Sequence, residues 1–140
     1  MDNRALRGRG IVVTRPAGQA QRLAALVEAA GGRAILFPAI DIEPLERPLP
    51  PPEGFDLVVF VSPTAVQCAA ARIRDSDVRL AAVGSGTRRA LEAQGFSDVV
   101  APPEGGDSEA LLALEELRDV AGKHVLIVRG EGGRELLVDT

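Results

Sequence analysis

Residues 123–137 (KHVLIVRGEGGRELL) set an apolar, β-branched run against a turn of arginine, glutamate and glycine, followed by a helix-forming stretch. A strand–glycine turn–helix sequence of this kind suits an anion. Glycines let a ligand approach the main chain closely, and free N–H groups at a helix start favour negative charge. The same grammar recurs at Thr14-Arg15, at Ser62-Pro63-Thr64 and at Gly84-Ser85-Gly86-Thr87. Ser85 and Thr87 add hydroxyls that can donate to a carboxylate. Arg15, Arg129 and Arg134 have the planar fork that can hold a carboxylate through two hydrogen bonds, though for Arg134 a solvated helix position is the expectation. Gly130 and Glu131 complete the turn after Arg129.

Other chemistries find little support. Gly84-Ser85-Gly86 begins like a dinucleotide fingerprint, but Arg89 stands where the third glycine belongs. Cys68 lies among alanines without a neighbouring histidine, so inert packing is the expectation. His124 opens a strand and reads as structural, and Glu131 as an exposed turn residue. No Walker loop, H-E-x-x-H or G-x-S-x-G pattern occurs. One Cys and one His do not make a zinc site, so no metal is expected.

The elements that must carry these turns alternate regularly. Strands are expected at 10–14, 33–38, 56–61, 79–83, 98–101 and 124–128. Helices are expected after Pro16, after Ser62, over 87–94, after Asp107 or Ser108, and from about Gly133. Apolar spacing of three and four puts Ala20, Leu23, Ala24, Val27 and Ala30 on one helix face. The run VLIV is expected to be covered on both faces. Strands alternating with helices predict α/β folding on a parallel, doubly wound sheet, with the candidate turns sharing its carboxyl edge.

Three segments are expected. Residues 1–38 hold the start of a first α/β domain, with 1–9 a frayed lead-in. Residues 39–54, alternating and then proline-dense, are a semi-rigid linker. Residues 55–140 form most of a second α/β domain. The last helix has no following strand to receive it, and the first unit is short of strands. The reading is therefore the front part of a longer protein. In that case apolar positions such as Leu136 and Leu137 need a partner, either the remaining part or a second copy through self-association.

The 140 residues are 46% hydrophobic and 26% charged, which suits a globular chain with a real core. A formal charge of −4, with no Trp or Tyr, argues against nucleic acid. The apolar runs are too short for a bilayer, and no secretory pattern opens the chain. With a single cysteine, a reducing cytoplasm is the expected location.

In order along the chain, IVVTRP with GQA, FPAIDIEPL, FVSPTAV, AVGSGTRRALEAQGF, DSEALL and VLIVRGEGGRELL together resemble the uroporphyrinogen-III synthase family. The resemblance runs from Ile11 to Leu137. It implies a cofactor-free lyase of tetrapyrrole and haem synthesis that closes the linear tetrapyrrole hydroxymethylbilane, inverting the last ring and losing water. It also implies two flavodoxin-like domains joined by a two-stranded ribbon, the second inserted in the first, with a cleft between them. Carried position by position, the implied substrate contacts are Thr14, Arg15, Ser62, Thr64, Gly84, Ser85, Gly86, Thr87, Ser108, Arg129 and Gly130. A family tyrosine discussed as a proton donor has no counterpart here, and no catalytic residue is assigned. Two other readings stay open: a synthase-like ligand sensor, and a generic anion- or nucleotide-binding α/β domain.

Overall fold

The computed structural model describes residues 5–132 and 136–139. The chain divides into two compact units, Met1–Glu46 and Arg47–Thr140. The division falls within the proline-containing segment 39–54.

The first unit is one β-α-β turn. Strand β1 (Gly10–Val13) pairs in parallel with β2 (Arg33–Leu36), and helix α1 (Ala17–Ala29) connects them. Val13, Ala20 and Val27 are buried. The expected helix face is narrower than its sequence pattern, because Leu23 is exposed. Strand side chains alternate between faces. Val12 and Ile35, register partners on the other face, are accordingly exposed. Residues 5–9 differ from the frayed lead-in expected of them. The Leu6 N–H donates to the Ala30 carbonyl at 3.0 Å and the Gly8 N–H to the Gly31 carbonyl at 2.7 Å, tying the segment to the end of α1.

The second unit holds a three-stranded parallel sheet in the order β4-β3-β5, with β3 at Leu57–Phe60, β4 at Arg79–Ala82 and β5 at Val125–Val128. The segment read as a strand at 98–101 contributes a single parallel bridge, Val100 to Ala81, outside β4. Helices α2 (Pro63–Ala69), α3 (Ser85–Ala93), α4 (Ser108–Leu112) and α5 (Leu136–Asp139) complete the unit.

Two apolar layers form on opposite faces of this sheet. Val58, Phe60, Leu80, Ala82 and Val128 pack with Ala65, Val66, Ala69 and Leu91 of α2 and α3. Leu57, Val59, Ala81 and Val83 pack with Leu111 of α4 and with Leu117. Successive strand residues serve opposite layers, as a doubly wound sheet requires. The long helix expected after Asp107 is interrupted at Leu114, whose backbone is extended (φ −65°, ψ 140°). A 3-10 turn at Glu115–Leu117 follows, and both Leu111 and Leu117 reach the same layer.

The most buried strand is β3, not β5. All four β3 residues are buried, whereas Val125, Leu126 and Ile127 are only half-buried. VLIV is covered on both faces, with Leu126 and Val128 in one layer and Val125 and Ile127 in the other, but less fully than β3. The central strand has neighbours on both sides, whereas among the described residues β5 pairs with β3 alone. Leu136 and Leu137 are half-buried rather than exposed, and Leu137 packs on the second apolar layer. Gly133, the expected start of the last helix, and Arg134, expected as a solvated arginine on it, lie outside the described residues. Among the described residues, no helix is long and apolar enough to cross a membrane.

Candidate functional site

Sheet register assembles the turns of the second unit. Phe60 pairs with Ala82 on one side and with Val128 on the other. Two residues further on stand Ser62, Gly84 and Gly130, so three of the expected positions occupy equivalent places at one sheet edge. The ladder continues past the strands, with the Val61 N–H donating to the Val128 carbonyl at 3.3 Å and the Val83 N–H to the Phe60 carbonyl at 3.1 Å.

Strand order marks one point within that edge. From β3 the chain winds outward through β4 to Val100, then returns to β5 on the opposite side of β3. The winding direction therefore reverses between β3 and β5. Open α/β sheets bind ligands at such a reversal, outside the strands' carboxyl ends. Ser62 follows one of these strands, and Arg129 and Gly130 follow the other.

Each turn has its own construction. Ser62 caps α2, its Oγ accepting the Ala65 N–H at 3.1 Å. Thr64 is half-buried in the first turn of that helix. Removing the cap with Ser62→Ala is expected to cost about 1 kcal/mol. Thermal unfolding would read this as a fall of several degrees in Tm, about 4–8 °C per kcal/mol for a unit of this size.

Gly84 precedes α3, which starts two residues earlier than its sequence pattern predicts and takes Ser85 and Gly86 into its first turn. Ser85 and Gly86 are exposed. Thr87 is the one polar residue recorded as buried among the described residues, 4% exposed. A Cβ on Gly86 would stand 3.9 Å from Pro63 Cγ, so the starts of α2 and α3 are neighbours. Ser108 is the first residue of α4 and is not its cap. Asp107 takes that role, accepting the Ala110 N–H at 2.8 Å.

Arg129 is half-buried and Gly130 exposed. Glu131 is ion-paired with Arg47 at 2.8 Å, both side chains largely exposed. The Arg47 carbonyl in turn accepts from Arg72 Nη1 at 3.1 Å. Exposed pairs contribute little, so Arg47→Ala is expected to change unfolding free energy by less than about 1 kcal/mol. A urea titration measures that directly. Thr14 and Arg15 follow β1 in the first unit and are both exposed, with the Thr14 carbonyl accepting the Ala39 N–H at 3.1 Å.

Sequence reasoning overlooked Arg47 and the glycine pair 105–106. The first was read only as part of a proline-rich linker, and the second only as loop. The glycine doublet immediately before a capping aspartate was the available signal for a close backbone approach. Among the described residues, no three His, Cys, Asp or Glu side chains group in a way that could hold a metal ion.

The second unit is a doubly wound α/β module that carries backbone turns, hydroxyls and one strand-end arginine along one sheet edge. A family model described as uroporphyrinogen-III synthase HemD matches residues 21–140. The uroporphyrinogen-III synthase of Escherichia coli (strain K12) is 34% identical over 142 residues, a match covering 93% of this chain and 58% of that protein. That of Salmonella typhimurium (strain LT2) is 37% identical with the same coverage, 93% and 58%. That of Synechococcus elongatus is 34% identical over 149 residues, covering 96% of this chain and 56% of the relative. The chain belongs to the uroporphyrinogen-III synthase family. It spans about 58% of the length of the first two of these relatives.

Proposed function

We propose that this chain carries out, or forms the larger part of a protein that carries out, the uroporphyrinogen-III synthase reaction. Hydroxymethylbilane would be closed to uroporphyrinogen III with inversion of the last ring and release of one water. The family match over residues 21–140 carries this reading. The strand-end turns suit the substrate. A linear tetrapyrrole with many carboxylates is held by N–H groups, hydroxyls and an arginine fork without a large basic patch, which is compatible with a chain of charge −4. Substrate contacts are assigned to Ser62, Thr64, Gly84, Ser85, Gly86, Thr87, Ser108, Arg129 and Gly130 in the second unit, and to Thr14 and Arg15 in the first. Their task is to fold the substrate into the conformer from which the inverted ring closes.

The same reading takes the whole protein as two α/β domains joined by a ribbon, with residues 39–54 as one connecting strand. Residues 1–38 then begin the first domain and 55–140 make most of the second. The protein would work in the cytoplasm without a cofactor, nucleic acid or membrane. Self-association would supply the missing contacts if the chain acts as it stands.

Complementation tests the reading. Expression in a bacterium deleted for its own synthase is expected to restore haem-dependent growth. Failure of the well-expressed, folded protein to do so would contradict the reading that this chain carries out the reaction by itself.

A further inference from the structure

Gly84 has an extended backbone (φ −157°, ψ 174°), which any residue can adopt, so conformation does not require glycine there. Distance does. A Cβ at Gly84 would stand 2.7 Å from Gly106 Cα and 3.7 Å from the Gly105 carbonyl oxygen. The opposing atoms are main chain, so no rotamer change relieves the contact.

The loop that makes this approach is held at both ends. On one side Val100 bridges β4, donating to Leu80 at 2.9 Å and accepting from Ala82 at 2.8 Å. On the other, Asp107 caps α4. Between them Gly105 adopts φ +84°, which favours glycine, and a Cβ there would press on Ala110 Cβ at 3.2 Å. Two glycines, 84 and 105, thus let residues 101–106 lie across the β4–α3 turn.

We infer that Gly84 is a positioning residue: its missing Cβ lets the 101–106 loop close onto the β4–α3 turn and form one wall of the tetrapyrrole site. This rests on the synthase reading for the ligand, while the wall itself rests on the backbone contact. Ser108, two residues beyond Gly106, is brought to the same edge by this loop. Its place among the substrate contacts, far in sequence from the strand ends, follows from that. A methyl group at position 84 would push the loop outward and open the crevice on the α3 side.

The test is a nuclear magnetic resonance titration of the 15N-labelled chain with uroporphyrin III, an octacarboxylate macrocycle, and separately with citrate. In the wild type, amides of residues 84–87 and 104–107 are expected to shift together with uroporphyrin. Gly84→Ala is expected to weaken that binding about tenfold or more, the loss of one well-placed carboxylate contact. Gly54→Ala makes the same chemical change where nothing lies within 4 Å, and is expected to bind as wild type. Uroporphyrin shifts confined to 84–87, or unchanged affinity in Gly84→Ala, would overturn the wall and leave the synthase reading standing. Citrate moving both segments while uroporphyrin moves neither would uphold the wall and overturn the tetrapyrrole as ligand. Neither compound moving the loop would overturn the wall. The wild-type shifts decide the matter even if Gly84→Ala does not fold.

Discussion

Phe60→Ala is expected to destabilise the second unit by about 3–5 kcal/mol, the range for emptying a fully buried aromatic site. Phe60 is the last residue of β3 and is 0% exposed. It lies in the layer formed by Val58, Val66, Leu80, Leu91 and Val128. Its carbonyl also accepts the Val83 N–H at 3.1 Å. Both neighbouring strands are paired to it, so collapse around the cavity would have to move the sheet itself. Domains of this size have only about 5–15 kcal/mol in total, so much of the protein would unfold near body temperature. Phe37 provides the contrast. It is 67% exposed, and Phe37→Ala is expected to stay within about 0.5 kcal/mol of wild type. Urea midpoints for the two variants measure the difference. A Phe60→Ala midpoint equal to wild type would contradict the assignment of β3 as the centre of the core.

The largest functional effect is expected from Arg129→Ala. Arg129 follows the last residue of β5, on one side of the winding reversal and level with Val61 on the other. A hydrogen bond to a charged group contributes about 1.5–3 kcal/mol, so KM for hydroxymethylbilane is expected to rise about ten- to a hundredfold. A contact that would hold substrate and transition state alike leaves kcat much less changed. Arg129→Lys keeps the charge but loses the two-pronged geometry, and an intermediate KM is expected. An unchanged KM in Arg129→Ala, with an unchanged unfolding midpoint, would remove this residue from the site.

The fold was legible where local signals agree with the tertiary environment. Strand runs and helix stops located β1, α1, β3, α2 and β4 to within a few residues, because apolar periodicity and turn chemistry there point the same way. Disagreement arose where the outcome depends on neighbours that sequence does not display. The VLIV run packs on both faces as it reads, yet three of its four residues are only half-buried, because among the described residues it stands at one side of the sheet, and that position is a property of strand order. The pattern around Ala110, Leu114 and Leu117 reads as one helix, yet packing both Leu111 and Leu117 into one layer breaks it at Leu114. The strand expected at 98–101 shrinks to one bridge.

The candidate site was partly legible for a related reason. Turns after strands are visible in sequence, so Ser62, Gly84 and Gly130 stood out and register does bring them level. What sequence could not display is the contact between turns distant along the chain. Gly84 against Gly106, and Arg47 against Glu131, are matters of through-space distance. Thr14 and Arg15, in the other unit, show the same strand-end pattern, and their assignment to the same site comes from the family resemblance.

Supplying hydroxymethylbilane to the purified chain and separating the oxidised products by isomer tests the central claim most directly. Without an enzyme the bilane closes to isomer I. The synthase reading predicts uroporphyrin III well above that background, abolished by heat denaturation of the protein. Isomer I alone, from folded protein that had been given intact bilane, would contradict the reading that this chain carries out the reaction by itself.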